Sequence, residues 1–178
     1  RPWFVCLDEI GPARVGVLPD SHDYDHEQVR HHALWGNLMA GGSGCEWYFG
    51  YDFPHNDLRC EDWRSRDHLW DLTRYAVEFV QTYLPFTEME PDDELTGNPV
   101  DYCFAKKGEI YAIYLPFGVT TDIQLENGTY TVHWYDPRNG GGLQIGSVKE
   151  VKGEGKRSVG YTPDDIAEDW VVLVRKSK

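Results

Sequence analysis

The spacing of apolar residues divides the chain into two stretches with different periods. It opens with "PWFVCL", in which Trp3 to Leu7 form an unbroken apolar run that stops at Asp8 and Glu9 and is followed by Gly11-Pro12. A run bounded in this way predicts a buried strand. After the loop "GPARVGVLPDSHDYD", residues Val29, Ala33, Leu34 and Leu38 recur at helical spacing. They predict a helix from about Asp25 to Ala40, with Asp25 as its cap and "GGSG" as its stop. "CEWYFGY" then reads as a short aromatic strand. Strand, helix, strand is the repeating unit of parallel α/β folds. The loop "DFPHNDLRC" leads to a second helix from about Glu61 to Tyr83, with Leu69, Leu72, Ala76, Val77 and Val80 on one side and Pro85 beyond its end.

From Asp101 onward the period falls to two. "YCFAKKGEIYAIYL" predicts two strands joined at Lys107-Gly108. "DIQLENGTYTVHWYD" predicts a hairpin turning at Asn127-Gly128, a dipeptide suited to the positive φ angles of a tight reversal. "LQIGSVKEV", "KRSVGY" and "DWVVLVR" predict further short strands, so this part reads as an antiparallel β-sandwich. The acidic "TEMEPDDELTGNP" between the two reads as a linker. The expected organisation is an α/β unit over 1–88, a linker over 89–100 and an all-β sandwich over 101–178.

Composition sharpens this division. Residues 1–88 contain no lysine, six of the seven histidines and five of the seven tryptophans, which marks them as a different unit from the rest. A formal charge of −13 argues against nucleic acid or an anionic membrane surface as partner, because both require basic stripes. No apolar run is long enough to cross a bilayer. The seven Trp and eleven Tyr suit a ligand that stacks on aromatic rings, and equally a well-filled core. Cys6, inside the first strand, reads as a reduced core residue, and a Cys45–Cys60 disulfide is conceivable. Arg1 in place of Met points to a removed leader or to a larger part upstream.

The two acids that end the first strand are the candidate chemistry. Active sites of parallel α/β barrels form at the carboxyl ends of the strands, where Glu9 stands. Trp47, Tyr48 and Tyr51 stand at or just past the corresponding end of the next strand. An acid beside an aromatic wall is what glycoside cleavage requires. The plainer alternative is that Asp8 and Glu9 end the strand and pair with backbone amides, Arg14 or Arg30. His55, Asn56 and Asp57, in the loop after the second strand, either bind sugar hydroxyls or form a turn. Asp20, His22, Asp23, Asp25 and His26 crowd one loop, but their spacing matches neither the calcium loop nor the zinc helix motif. They read as a solvated acidic loop, and no metal or other cofactor is expected. Of His31 and His32, one is expected buried and one exposed. Arg64 and Arg66 are expected to pair with Glu61, Asp62 and Asp67.

The block "DEIGPARVGVLPDSHDYDHEQVRHHALWGNLMAGGSGCEWYFGY", with "PHNDLRCEDWRSRD" after it, resembles the last part of the catalytic barrel in bacterial glycoside-hydrolase-like proteins of the DUF4038 and DUF5060 kind. The stretch from about Asp101 to Lys176, with "WYDPRNGGGL" and "DWVVLVRK", resembles the collagen-binding domain family that follows such barrels. The first resemblance implies that 1–88 are the seventh and eighth strand–helix units of a (β/α)8 barrel. It also implies that Glu9 is the strand-seven nucleophile of a retaining mechanism, with Asp8 facing the other way. The acid/base on strand four has no counterpart in this chain, although a retaining mechanism needs two carboxyl groups about 5–5.5 Å apart. Expected partners are therefore a carbohydrate substrate and the N-terminal remainder of the same protein, with secretion or a periplasmic location. The alternative is a non-catalytic module whose sandwich recognises a polysaccharide or a collagen-like fibre, with the barrel remnant as scaffold.

Overall fold

A computed structural model describes residues 3–164 and 168–177, and only the backbone of Cys60. Its centre is a six-stranded antiparallel sheet in the order β10-β9-β12-β7-β6-β5. The strands are β5 (Glu90–Pro91), β6 (Tyr102–Lys106), β7 (Ile110–Leu115), β9 (Thr129–Tyr135), β10 (Glu150–Lys152) and β12 (Trp170–Lys176). Because side chains alternate across a strand, β7 and β12 bury both faces. Ile110, Ala112, Tyr114, Val171 and Leu173 point to one core, while Tyr111, Ile113, Leu115, Trp170, Val172 and Val174 point to another. That is why "IYAIYL" and "WVVLVR" read as nearly continuous apolar runs.

The second core is closed by β8 (Asp122–Leu125) and β11 (Gly155–Ser158), an antiparallel pair that contributes Ile123 and Leu125. This departs from the hairpin expected at Asn127-Gly128. β8 pairs with β11 and β9 pairs with β10 and β12, so the chain crosses between sheets there. Neither Asn127 nor Gly128 takes a positive φ. Ile123 and Leu125 are buried over the back of the large sheet, and that burial overrides the turn signal. The architecture on this side is sandwich-like, as expected.

The first core is closed by helices. α1 covers residues 29–39, wound as a π-helix over Val29–Trp35 and as an α-helix over Gly36–Met39. α2 is Asp67–Tyr83, preceded by a 3₁₀ turn over Trp63–Arg66. Leu34, Trp35, Leu38 and Met39 of α1 and Leu72, Ala76 and Phe79 of α2 join Phe104, Tyr114, Tyr135 and Leu173 of the sheet in one cluster. Trp35 sits at its middle, stacked on Tyr114 with ring centroids 5.4 Å apart and 3° between planes. The expected Asp25 cap does not form. The Asp25 backbone carbonyl instead accepts from Arg30 Nη1, and the helix start has no side-chain cap.

On the outer side of the helices, β1 (Cys6–Leu7) runs parallel to β2 (Gly44–Cys45), with Leu7 opposite Cys45. α1 connects them, so the strand–helix–strand unit is present. The run before β1 is not buried, however. Trp3 is 90% and Phe4 89% exposed, and Cys6, expected in a core, is exposed as well. β1 has a neighbour on one edge only, so nothing described here covers its outer side. Cys45 is a free thiol that donates to Ala33 O at 3.0 Å and accepts from Asn37 Nδ2 at 3.3 Å; the side chain of Cys60, its conceivable disulfide partner, lies outside the described residues. A short hairpin, β3 (His55–Asn56) with β4 (Arg59–Cys60), follows β2.

One buried carboxylate makes stability depend on pH. Burial, with the charge of Asp93, raises Asp101 from the usual carboxylate range to about 6, against hydrogen bonds from Thr121 and Asn98, and one of its oxygens has no partner. The folded pKa lies above the unfolded one, so folding binds a proton between about pH 4 and 6 and stability falls as pH rises through that window. Asp101→Asn should therefore stabilise the protein by about 2 kcal/mol at pH 7 and by almost nothing at pH 3.5. Urea unfolding at the two pH values checks this, and an equal effect at both would contradict it.

Candidate functional site

Glu9 lies two residues past the end of β1, exposed, with φ +51°. A non-glycine residue in the left-handed region costs about 1 kcal/mol or more. Among the described residues Glu9 makes no ion pair. The two arginines that might have neutralised it are engaged elsewhere, Arg14 with Asp52 at 3.1 Å and Arg30 with Asp169 at 3.0 Å. The Asp8 carboxylate accepts a hydrogen bond from the Cys6 thiol, which raises that thiol's pKa.

Tyr48 is close enough to Glu9 to feel its charge. Its hydroxyl donates to Ala13 O at 2.6 Å, and its ring meets that of Tyr51 edge-on with centroids 6.3 Å apart. The hydrogen bond with Tyr51 pushes the Tyr48 pKa up to about 12, helped by partial burial and by the negative charges of Asp57 and Glu9. Tyr48 is thus a fixed donor at neutral pH. The loops after β1 and β2 are stitched together, with Val17 N bonded to Tyr48 O at 2.7 Å and Tyr51 N to Arg14 O at 2.7 Å. Gly16, at φ +59°, is needed there because a Cβ would run into the Tyr48 carbonyl.

The other predicted residues serve packing and loop shape in this structure. Trp47 is held in the helical layer, where Nε1 donates to Thr73 Oγ1 at 3.1 Å and the ring packs against two apolar clusters. His55 is buried against Phe49, with ring centroids 5.3 Å apart. Asn56 is buried and shapes the hairpin turn: Nδ2 donates to Phe53 O at 2.7 Å and Oδ1 accepts from Leu58 N and Arg59 N, each at 3.0 Å. Asp57 is exposed and accepts from Phe49 N at 3.4 Å. The structure therefore gathers Glu9, Tyr48, Tyr51 and Asp57 and sets Trp47, His55 and Asn56 behind them.

Two further polar clusters depart from the sequence reading. His26 is not solvated but fully buried, its Nε2 2.7 Å from Asp20 Oδ1, while Asp20 Oδ2 accepts from His68 N at 2.8 Å. The loop is a clip tying α1 to the start of α2, and no group of metal ligands occurs among the described residues. Arg66 is also buried rather than paired along its helix. Nε donates to Val17 O and Nη1 to His55 O, each at 2.9 Å, and its guanidinium lies 4.4 Å from the Phe49 ring centroid. Burial lowers its pKa. Arg64 does pair with Asp67, at 3.8 Å, and His31 and His32 divide as expected into one buried and one exposed.

The network that fastens α1 to the sheet went unforeseen. Asp169, just before β12, accepts from Arg30 Nε and Nη2, each at 3.0 Å, and from Tyr114 Oη at 2.6 Å, with His31 Nε2 3.7 Å away. Burial alone would raise its pKa, but the nearby His31 imidazole, the hydrogen bonds from Arg30 and Tyr114 and the Arg30 charge bring it down to about 2. The only trace in the sequence is an acid set directly against the apolar run "WVVLV".

Residues 91–175 match the family described as "Putative collagen-binding domain of a collagenase". The fold is similar to that of a solved glycoside hydrolase, with TM-score 0.64, 15% identity, and 85% of this chain and 37% of that one covered. A glycoside hydrolase family 5 protein from Bacteroides vulgatus ATCC 8482 is similar to the same degree, with TM-score 0.64, 17% identity, and 84% and 36% covered. A comparison with curated proteins gives no significant match. The chain thus spans little more than a third of the solved proteins whose fold it shares.

Proposed function

We propose that the chain is the C-terminal portion of a glycoside hydrolase acting on a poly- or oligosaccharide. In this reading 1–88 end a (β/α)8 barrel and 101–178 are an accessory sandwich, with 89–100 linking them and adding the edge strand β5 to the sandwich sheet. The observation that carries it is the parallel β1–α1–β2 unit with an uncompensated acid, Glu9, at the carboxyl end of β1. Barrels of this kind collect their catalytic groups at that end. The shared fold with glycoside hydrolase structures supports it independently. Glu9 is then the nucleophile, the Tyr48 hydroxyl oxygen an acceptor for a sugar hydroxyl while its proton stays on Ala13 O, and the exposed Tyr51 ring a wall beside it. Asp57, on the loop shaped by His55 and Asn56, lies on the substrate side, and Trp47 supports the site from behind.

The exposed apolar surface fits this reading. Parallel sheets are stable when both faces are covered, yet Trp3, Phe4 and Val5 are exposed, and Phe4 borders a groove walled by Leu38, Val77, Val80, Leu84 and Phe86. The remainder of the same protein covers it and brings the acid/base to within about 5–5.5 Å of Glu9. A polymeric substrate implies action outside the cytoplasm. The test is to assay the longer gene product and residues 1–178 against polysaccharides and aryl glycosides. Hydrolysis by the longer product alone is expected, and a folded longer product that hydrolyses none of them overturns the reading.

The match of 91–175 favours a second reading, in which the sandwich is a recognition module. It must be tested on the whole chain, because removing α1 and α2 would uncover Phe104, Tyr114 and Tyr135. Saturable co-sedimentation with insoluble polysaccharide or collagen fibres would support it, and its absence would leave the sandwich as a brace.

A further inference from the structure

A polar cleft of 300 Å³ opens where the loop before α1, the first turn of α2, the loop after β9 and the residue before Asp169 meet. Tyr24, Arg30, His68, Arg138, Asn139 and Glu168 converge there from four distant segments of the chain. None of them belongs to the group around Glu9. Small-molecule sites are typically clefts at such junctions, with a few polar groups fixed in place.

The polar groups here are fixed. Arg30 is locked by Asp169. Arg138 Nε donates to Asp136 Oδ1 at 3.0 Å, its Nη1 lies 3.4 Å from Glu168 Oε2, and its guanidinium lies over the Trp170 ring at 5.3 Å. Asn139 Nδ2 donates to Asp136 Oδ2 at 2.9 Å. At the mouth, Tyr24 stacks on His68 with centroids 4.4 Å apart and 1° between planes, and stays 62% exposed. Burial, together with the nearby His26 and Arg30, keeps His68 below the usual histidine pKa against the pull of Asp20 and Asp25, so it is neutral at pH 7.

This chemistry selects a ligand class. Arg30 is fully engaged by Asp169 and the Asp25 carbonyl, so the Asn139 carboxamide oxygen and the Glu168 carboxylate are the groups left to meet sugar hydroxyls, and a tyrosine face accepts the C–H side of a ring. An anion is disfavoured, since both arginines already hold carboxylates and Asp25 and Glu27 also line the cleft. The volume lies at the low end of the range of about 300–1,000 Å³ for ligand sites, room for one sugar ring rather than a chain. We propose that this cleft binds a single neutral pyranose unit. The inference goes beyond the Glu9 reading and stands whether or not Glu9 is a nucleophile.

Saturation-transfer NMR on the intact chain with glucose, mannose, galactose, xylose and N-acetylglucosamine tests it. At least one sugar should bind with millimolar affinity, weakened about 3–10-fold by Tyr24→Ala. Tyr24→Phe should restore it, with thermal unfolding equal in all variants. No transfer from any sugar at about 100 mM, or binding that Tyr24→Ala leaves intact, overturns the proposal.

Discussion

Glu9→Gln in the longer gene product should lower glycosidase turnover by roughly a thousandfold or more, with thermal unfolding almost unchanged. A carboxamide keeps the shape of the side chain but cannot form a glycosyl ester, so the loss falls on the chemical step. Glu9 is exposed and makes no ion pair among the described residues, so the cost to folding should stay within about 0.5 kcal/mol. Glutamine meets the same backbone demand at φ +51° that glutamate does. A parallel fall in kcat and melting temperature would mean that Glu9 is structural, and undiminished turnover would move the nucleophile elsewhere. An azide rescue of the Glu9→Ala variant adds a readout that misfolding cannot mimic.

The second large effect is on stability. Asp169→Ala should cost about 3–5 kcal/mol at pH 7, because it leaves the Arg30 guanidinium buried with no carboxylate to answer it. Tyr114 loses its acceptor as well. Replacing both charges, as in Arg30→Met with Asp169→Leu, should cost markedly less, since no charge is then stranded. The pH dependence has a definite sign. The folded pKa of about 2 lies below the usual carboxylate value, so the stabilisation is present above about pH 4 and lost as pH falls toward 2. Wild-type and Asp169→Ala unfolding curves should therefore converge on acidification. A cost below about 1 kcal/mol at pH 7 would show that solvent screens the pair.

The two carboxylates pull in opposite directions. Asp101 weakens the fold as pH rises toward about 6, while Asp169 strengthens it once pH passes about 4. Each is set by what lies around it: Asp169 has a guanidinium and a phenol, and Asp101 has polar neighbours but no cation among the groups that shift it.

Local pattern was enough to read the elements that carry their own signal. The continuous apolar runs "IYAIYL" and "WVVLVR" marked β7 and β12, the apolar stripe of Leu69, Leu72 and Ala76 marked α2, and the breaks at Gly41 and Pro85 closed the helical segments. Glu9 was picked out because an acid directly after an apolar run is visible in the sequence. The environment of that acid was not. Whether Trp47 faces a cleft or a helix depends on where α2 lies, and α2 puts Thr73 beside the indole.

By itself, then, the sequence determined which stretches form strands and which form helices and which residues are apolar enough to be buried, because those properties depend on neighbours a few positions away, while several element ends, such as the start of α1 at Val29, were shifted by tertiary contacts. Only the tertiary structure decided which strand pairs with which, as when β8 left β9 for β11. It also decided which charges are buried, as for Arg66, and which apolar run stays uncovered, as for Trp3 and Phe4. Pairing, burial and charge neutralisation are all settled by groups far apart in the chain, as Arg30 and Asp169 are, and no local period encodes a contact over that separation.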